Sequence, residues 1–281
     1  MKDRLLHYVL TRHGVDVGHG PPASDWMDSR RNHLLHVTLK SLELQSNQNF
    51  QWLILTDERH AEDERDHIFS QVSSSVPINV VPIRGPFVPG KTHDLATVLR
   101  DFIPSTGTMA TTRLDSDDAL APTFVDSVQE VAQACDGDTQ IIDFIRGVVV
   151  DHRTGMVFVR PYVRSPFQTL VEQLGTRPPQ TVYSESHLAL ADRFPYISVP
   201  TEEPMWFVSV HGRNLANRPR GWVRHHTVVP DSLREPLGVR ASSLPRKLLA
   251  QSSVFLSYAS SMIVSGEIRL RIKSAMRNLR A

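Results

Sequence analysis

The chain has 281 residues, 40% of them hydrophobic, enough for one large or two small globular domains with a real core. Its 31 basic and 30 acidic residues nearly cancel, so overall charge argues against nucleic acid as a partner, whose usual footprint is a strongly basic domain. Cys135 is the only cysteine, which excludes an intramolecular disulfide and a cysteine-based zinc cluster and fits a reducing cytoplasm.

At the N-terminus, Met1-Lys2-Asp3-Arg4 lacks the apolar core of a signal peptide, and no run of about 18 apolar residues suggests a membrane span. Leu5 to Leu10, apolar and ending at Thr11-Arg12-His13, reads as a first buried strand. A Gly- and Pro-rich loop from Gly14 to Ser24 follows. Between Ser29 and Gln48, Leu35, Leu39 and Leu42 fall at i, i+4 and i+7, a spacing that predicts an amphipathic helix over one sheet face. Phe50 to Thr56 is a second strand ending at Asp57, and Glu62 to about Ser74 a charged helix with Ile68, Phe69 and Val72 inward. Ile78 to Ile83 is a third strand, Thr92 to Phe102 a third helix, and Met109 to Leu114 a fourth strand. Strands alternating with helices predict a parallel sheet covered on both faces. Ligands of such sheets bind beyond the carboxyl ends of the strands, where Thr11, Arg12, Asp57, Arg84 and Asp115 all fall.

The fourth strand delivers Asp115, Asp117 and Asp118, three carboxylates within four residues. Carboxylates this close repel, and each resists ionisation unless a cation sits among them. Magnesium and manganese meet that need, because they prefer oxygen ligands and bridge one or two protein carboxylates to substrate phosphates. The segment therefore predicts a metal–diphosphate site, in competition with an ordinary acidic turn capping the helix that Pro122 starts.

A second pattern lies upstream. Gly85-Pro86-Phe87-Val88-Pro89-Gly90-Lys91-Thr92 matches the phosphate-loop pattern GxxxxGK[ST] between a strand and a helix. Such a loop works through successive backbone N–H groups, and Pro86 and Pro89 have none. A nucleotide hydrolase using Lys91 and Thr92 is thus an alternative function, and a milder reading keeps Lys91 as a phosphate contact at a helix start.

Beyond the acidic run, Pro122 to Ala134 predicts a helix and Thr139 to Phe144 a strand. Gly147 to Asp151 and Met156 to Val159 predict an antiparallel hairpin, which makes the architecture mixed. Ser165-Pro166-Phe167 opens a predicted short helix to about Gln173 that contains Glu172. A further helix is expected from Tyr183 to Arg193 with Ser184 as N-cap. Glu185 or His187 at its mouth is a candidate general base, although a dipole-complementing Glu185 and a packed His187 explain the same residues. Met205 to Val210 is an apolar strand that releases His211 into a Gly-containing loop, well placed to ligate a metal or touch a phosphate. Ser243 to Ser260 and Ile268 to Ala281 read as helices. The last carries Arg269, Arg271, Lys273, Arg277 and Arg280, which suit an anionic membrane surface, a solvated face or an oligomer contact.

Thr11-Arg12, Trp52 to Asp57, Arg113-Leu114-Asp115-Ser116-Asp117-Asp118, Ser165-Pro166-Phe167, His187 and Trp206 to Asn214 together resemble the rhamnosyltransferase family of bacterial glycosyltransferases with the GT-A fold, over roughly Tyr8 to Asn217. The resemblance implies an α/β domain over residues 1–240, a GT-A-like, Rossmann-type mixed sheet flanked by helices, with a C-terminal helical extension over 241–281. It implies a nucleotide-diphospho-sugar donor, with Thr11, Arg12 and Asp57 at the nucleoside, Asp115 at the ribose or diphosphate, and Arg84, Lys91 and Arg113 as further donor contacts. Asp117 and Asp118 would hold Mn²⁺ or Mg²⁺ with His211 completing the site. Many inverting relatives carry Glu-Asp at a helix start where this chain has Glu185-Ser186-His187, so the base is Glu185 or His187. The implied reaction is metal-dependent transfer of a sugar, rhamnose by the family's name, to a hydroxyl of a cell-surface glycan or lipid-linked saccharide. That places the protein in the cytoplasm or at the inner membrane face, the basic tail being its peripheral contact. A non-catalytic nucleotide-sugar-binding module is the remaining alternative.

Overall fold

The computed structural model describes residues 5–18, 20, 22–72, 76–90, 95–135, 139–211, 222–241 and 251–252. Lys91, Thr92, Gly212-Arg213-Asn214 and, apart from Gln251 and Ser252, the two predicted C-terminal helices lie outside the described residues.

Near-continuous apolar runs build strands buried on both faces. Four of them, β1 (Leu5–Arg12), β2 (Gln51–Asp57), β3 (Ile78–Ile83) and β4 (Gly107–Asp115), pair in parallel in the order β3-β2-β1-β4. Val9, Trp52 and Ile54 face one core while Tyr8, Leu10, Leu53 and Leu55 face the other, as the two-residue period of a strand requires. From β1 the chain runs outward through β2 to β3, then returns to the other side of β1 with β4. That reversal is a topological switch point, the place where open α/β sheets bind ligands.

Beyond β4 the sheet becomes mixed. β9 (Thr169–Leu174) runs antiparallel between β4 and β6 (Gln140–Phe144), and β10 (Tyr196–Val199) closes the edge of a seven-stranded sheet. The short helix expected after Ser165 is therefore absent, and Glu172 lies on a strand. Leu, Glu and Gln tolerate a helix, but the unpaired edges of β4 and β6 draw this segment into the ladder, where Thr169 and Val171 also favour it. Ser165-Pro166-Phe167 forms the corner before β9. Buried Asp143 accepts hydrogen bonds from the Ser165 hydroxyl at 2.5 Å and the Ser165 N–H at 3.0 Å, and Phe167 stacks on Trp206 with ring centroids 5.1 Å apart.

A second sheet has five strands in the order β12-β8-β7-β11-β5, formed by β5 (Ala119–Leu120), β7 (Arg146–Asp151), β8 (Met156–Pro161), β11 (Trp206–Val210) and β12 (Trp222–Arg224). The hairpin expected from sequence is β7 with β8, and β11 lies parallel to β7. The architecture is thus a mixed α/β one flanked by helices, not a purely parallel sheet.

The helix expected over Ser29 to Gln48 begins earlier, as α1 (Ser24–His33). It runs through a π-helical segment, Leu34–Leu39, into α2 (Lys40–Glu43), with Leu34, Val37, Leu39 and Leu42 buried. The remaining helices are α3 (Ala61–Gln71), α4 (Leu95–Val98), α5 (Phe124–Gln133), α6 (Leu190–Arg193) and α7 (Asp231–Arg234). Of the helix expected from Tyr183 to Arg193, only α6 forms. The preceding residues are turns tied down onto the sheet: the Val182 N–H donates to the Thr111 hydroxyl at 2.9 Å, and the Tyr183 hydroxyl to the Leu10 carbonyl at 3.3 Å. Among the described residues no helix is long and apolar enough to cross a membrane.

Candidate active site

The carboxyl ends of β1 and β4 bring Arg12 and Asp115 together as cross-strand partners at the switch point. Arg12 Nη2 donates to Asp115 Oδ1 at 3.3 Å, and Arg113, two residues before Asp115 on the same strand face, reaches its Oδ2 through Nη2 at 3.2 Å. Both guanidinium groups lie over the ring of Tyr183, at 5.4 and 5.6 Å. Burial acts to raise the Asp115 pKa, but the charges of Arg113 and Arg12 and their hydrogen bonds prevail and hold the carboxyl well below its usual range. Arg113 Nη1 donates to His187 Nδ1 at 3.3 Å. Burial lowers the His187 pKa to about 4, with Arg113 adding to the effect, so the ring is neutral at pH 7. Arg12 Nε is buried without a hydrogen-bond partner among the described residues.

The chain then turns, the Asp118 N–H donating to the Asp115 carbonyl at 3.2 Å, and enters β5. Asp118 is drawn toward the second sheet. Its Oδ1 accepts the Ser209 N–H of β11 at 2.9 Å, and its carbonyl accepts the Thr38 hydroxyl from the π-helical segment at 2.9 Å. Burial, and then the charges of Asp117 and Asp115, raise its pKa well above the usual carboxylate range. Asp117 faces the other way. Its Oδ2 meets His211 Nε2 at 3.0 Å, where β11 ends, and Nη1 of Arg30 from α1. One helical turn on from Arg30, His33 lies against His211 with ring centroids 4.0 Å apart. His152, from the β7–β8 turn, stands 5.8 Å from His33 and shares a 2.8 Å hydrogen bond with the Ser209 hydroxyl. Burial lowers the pKa of His33 and takes that of His152 to about 4.

Asp117 and His211 are the pair that could ligate a magnesium or manganese ion, with Arg30 Nη1 on the same carboxylate oxygen. Asp117 Oδ2 and His211 Nε2 stand 3.0 Å apart, the spacing of neighbouring ligands on an octahedral ion with bonds of about 2.1 Å. Among the described residues no group of three or more His, Cys, Asp or Glu side chains is arranged to hold a metal ion.

The other residues expected at the site are placed apart from this cluster. Thr11 is fully buried and its hydroxyl accepts the Trp52 indole N–H at 2.8 Å. Asp57, at the end of β2, is held by Arg59 through hydrogen bonds of 2.6 and 2.7 Å that lower its pKa. Arg84 is exposed and paired with Glu58 at 3.0 Å. Glu185 Oε1 pairs with Arg193 at 3.1 Å, and Oε2 lies against Gly90, where an added Cβ would meet it at 2.6 Å. Arg30, His33, His152 and Tyr183 carry no motif. An Arg–Arg–x–His run on a polar helix reads as a solvated face, and only the fold reveals that it crosses the acidic turn.

A cavity of about 470 Å³ opens beside the cluster, walled by Phe87, Pro89, Gly90, Pro178, Pro179 and Tyr183, with Arg193 and Gln180 at its edge. Tyr183 belongs to both, carrying the two arginines and lining the cavity. Within the phosphate-loop pattern, Phe87 is buried edge-on to Tyr183 at 5.3 Å and its N–H donates to the Asp16 carbonyl at 2.6 Å, so that amide is already engaged.

The sequence matches the model of the family described as "Putative rhamnosyl transferase" over residues 22–222, a span that contains the acidic turn and His211. A search of curated proteins finds no match. Among solved structures the chain is similar to S. aureus TarS 1-349 in complex with UDP-GlcNAc, with 11% identity, a TM-score of 0.42, and coverage of 74% of this chain and 60% of that one. TarS 1-349 determined without that ligand gives 10% identity and a TM-score of 0.38 over 72% of this chain and 60% of that one. HddC from Yersinia pseudotuberculosis gives 11% identity and a TM-score of 0.39 over 69% of this chain and 90% of that one. The chain thus spans 60% of the length of the TarS structures it matches.

Proposed function

The chain belongs to the rhamnosyl transferase family, and from that premise we propose that it moves a sugar from a nucleoside-diphosphate donor to a hydroxyl of a cell-surface glycan or lipid-linked saccharide, with Mn²⁺ or Mg²⁺ as cofactor. The observation that carries this reading is the convergence at the switch point of Asp115 clasped by Arg12 and Arg113 with Asp117 in contact with His211. The cavity behind Tyr183 lies within the usual range of about 300–1,000 Å³ for small-molecule sites, and its proline and aromatic walls suit a nucleobase. Rhamnose as the sugar rests on the family's name.

In the reaction the acceptor oxygen bonds to the anomeric carbon while the bond from that carbon to the diphosphate oxygen breaks, its electron pair leaving with the diphosphate. Positive charge develops on the ring and negative charge on the leaving group. Asp117 and His211 would hold a divalent ion, which would supply Lewis-acid stabilisation of that negative charge. Arg12, whose Nε has no partner among the described residues, adds a fixed cation in the same crevice. The proton of the attacking hydroxyl needs an acceptor. Because Arg113 donates to Nδ1 of His187, the neutral ring keeps its proton on Nε2 and acts as a hydrogen-bond donor. Of the two candidates this leaves the Glu185 carboxylate, which would exchange its ion pair with Arg193 for the acceptor hydroxyl.

A thermal-shift panel of nucleotide sugars, run with and without Mn²⁺, tests the reading. One donor family is expected to raise Tm, and to raise it further with metal. Asp117→Ala is expected to keep the wild-type fold while losing the metal increment and metal-dependent release of nucleoside diphosphate. Stabilisation by ATP or GTP alone would favour the phosphate-loop alternative, and unchanged transfer in Asp117→Ala would sink the metal assignment.

A further inference from the structure

Arg30 stands at Asp117 on the same carboxylate oxygen as His211, and the reaction described above leaves it unused. Its side chain is 14% exposed, and its guanidinium lies over the Trp26 ring at 5.0 Å. Nη1 stands against Asp117 Oδ2 as an ion pair, yet neither it nor Nε, both buried, has a hydrogen-bond partner among the described residues. A buried donor of a charged group left unmatched is costly, and a guanidinium is a planar fork of five donors whose geometry suits phosphate.

Arg30 is held in place by more than its contact with Asp117. The adjacent Arg31 donates through Nε at 3.1 Å and Nη2 at 2.5 Å to buried Glu64 of α3, which also meets His13, just beyond β1, at 3.1 Å. Burial acts to raise the Glu64 pKa, but His13 and Arg31 overcome it and bring the carboxyl to about 2, so the anchor is charged at neutral pH. A turn further along, the packing of His33 on His211 fixes the other side of α1. The helix thus carries a preset cation to the acidic turn.

Resting on the donor reading above, we propose that Arg30 is a diphosphate-binding catalytic residue, its guanidinium bridging Asp117 to the sugar-bearing phosphate of the donor. There it takes up the negative charge that this phosphate gains as the sugar leaves. A counter-ion serving only to neutralise Asp117 would not need the unmatched Nε.

The test is isothermal titration of the full chain with UDP, GDP and dTDP and with the corresponding monophosphates, in EDTA and in Mn²⁺. Wild type is expected to bind one diphosphate more tightly than its monophosphate. Arg30→Gln is expected to weaken that diphosphate about tenfold or more, as loss of a charge-assisted hydrogen bond does, while the monophosphate changes less than twofold. Arg30→Lys should recover part of the difference. An unchanged diphosphate-to-monophosphate ratio in Arg30→Gln overturns the proposal. So does a loss of Tm in Arg30→Gln with nucleotide affinity in EDTA unchanged, the behaviour of a simple counter-ion. Absence of nucleotide binding by wild type removes the donor reading itself, an outcome distinct from either.

Discussion

Asp115 and Asp118 lie three residues apart and are biased toward opposite protonation states. Asp115 has two guanidinium groups against it and is held as an anion, whereas Asp118, buried beside two other carboxylates and given only the Ser209 N–H at its Oδ1, is pushed toward its protonated form. The repulsion that marks the acidic run in sequence is thus relieved in part by arginines from three different elements, β1, β4 and α1. Asp117 is left in contact with both Arg30 and His211 through one oxygen. The same residue-by-residue accounting separates the two base candidates. Glu185→Gln is expected to lower kcat by about 10²–10⁴, the range for loss of a general base, with donor affinity retained. His187→Gln, which replaces the ring Nε2–H with a differently placed amide donor, is expected to cost about tenfold at most. Steady-state kinetics of the two variants checks this, and a larger loss in His187→Gln reverses the assignment. The acidic run and His211 were legible from residue type and position at strand ends. Arg30, His33 and His152 were not, because nothing in a polar helix or a hairpin turn says which cleft it will cross.

At the scale of elements, the strands read most clearly from sequence were the buried parallel ones, whose apolar runs admit one interpretation. β3 has the bounds its sequence predicts, β1 and β4 extend to Arg12 and Asp115, which carry the site, and β2 shifts by one residue to Gln51–Asp57. β9 was illegible because its state depends on two neighbours formed far away in sequence. Its placement has a measurable consequence. Glu172, 6% exposed on β9, accepts the Gln180 N–H at 2.9 Å, and burial raises its pKa to about 7. The folded pKa lies above the unfolded one, so this group's contribution is fully present below about pH 4.5 and is lost as pH rises toward about 7. Stability is expected to fall across that window by on the order of 3 kcal/mol at most. Glu172→Gln should flatten the decline, since the amide has no charge to gain. Denaturant unfolding of both proteins between pH 4.5 and 8 checks it, and parallel curves would mean that Glu172 does not titrate in this window.

At the scale of the whole molecule, the site sits where two sheets meet. β4 and β1 of the larger sheet supply Asp115 and Arg12, β11 of the smaller one supplies His211, and the turn between β4 and β5 joins them. A parallel sheet alone, as the alternation of elements suggested, would have had no second set of strand ends to bring a histidine to Asp117. The far edge of the smaller sheet is β12, where Trp222 is 66% exposed and the Val223 N–H donates to Gln251 Oε1 at 2.7 Å. The sequence leading to the basic tail therefore starts beside an exposed tryptophan, and Trp with Lys and Arg is the combination that seats proteins at an anionic membrane surface. Full-length protein is expected to co-sediment with vesicles containing phosphatidylserine at low salt and to be released by high salt. Replacing Arg269, Arg271, Lys273, Arg277 and Arg280 with Gln should abolish binding, at about 1 kcal/mol per basic residue near the surface, while leaving the Gln251 contact in place. A chain ending at Leu244 should behave the same way. Equal recovery of all three proteins in the supernatant would remove the membrane and leave the tail as a solvated face or an oligomer contact, which sedimentation velocity of the same variants separates by mass.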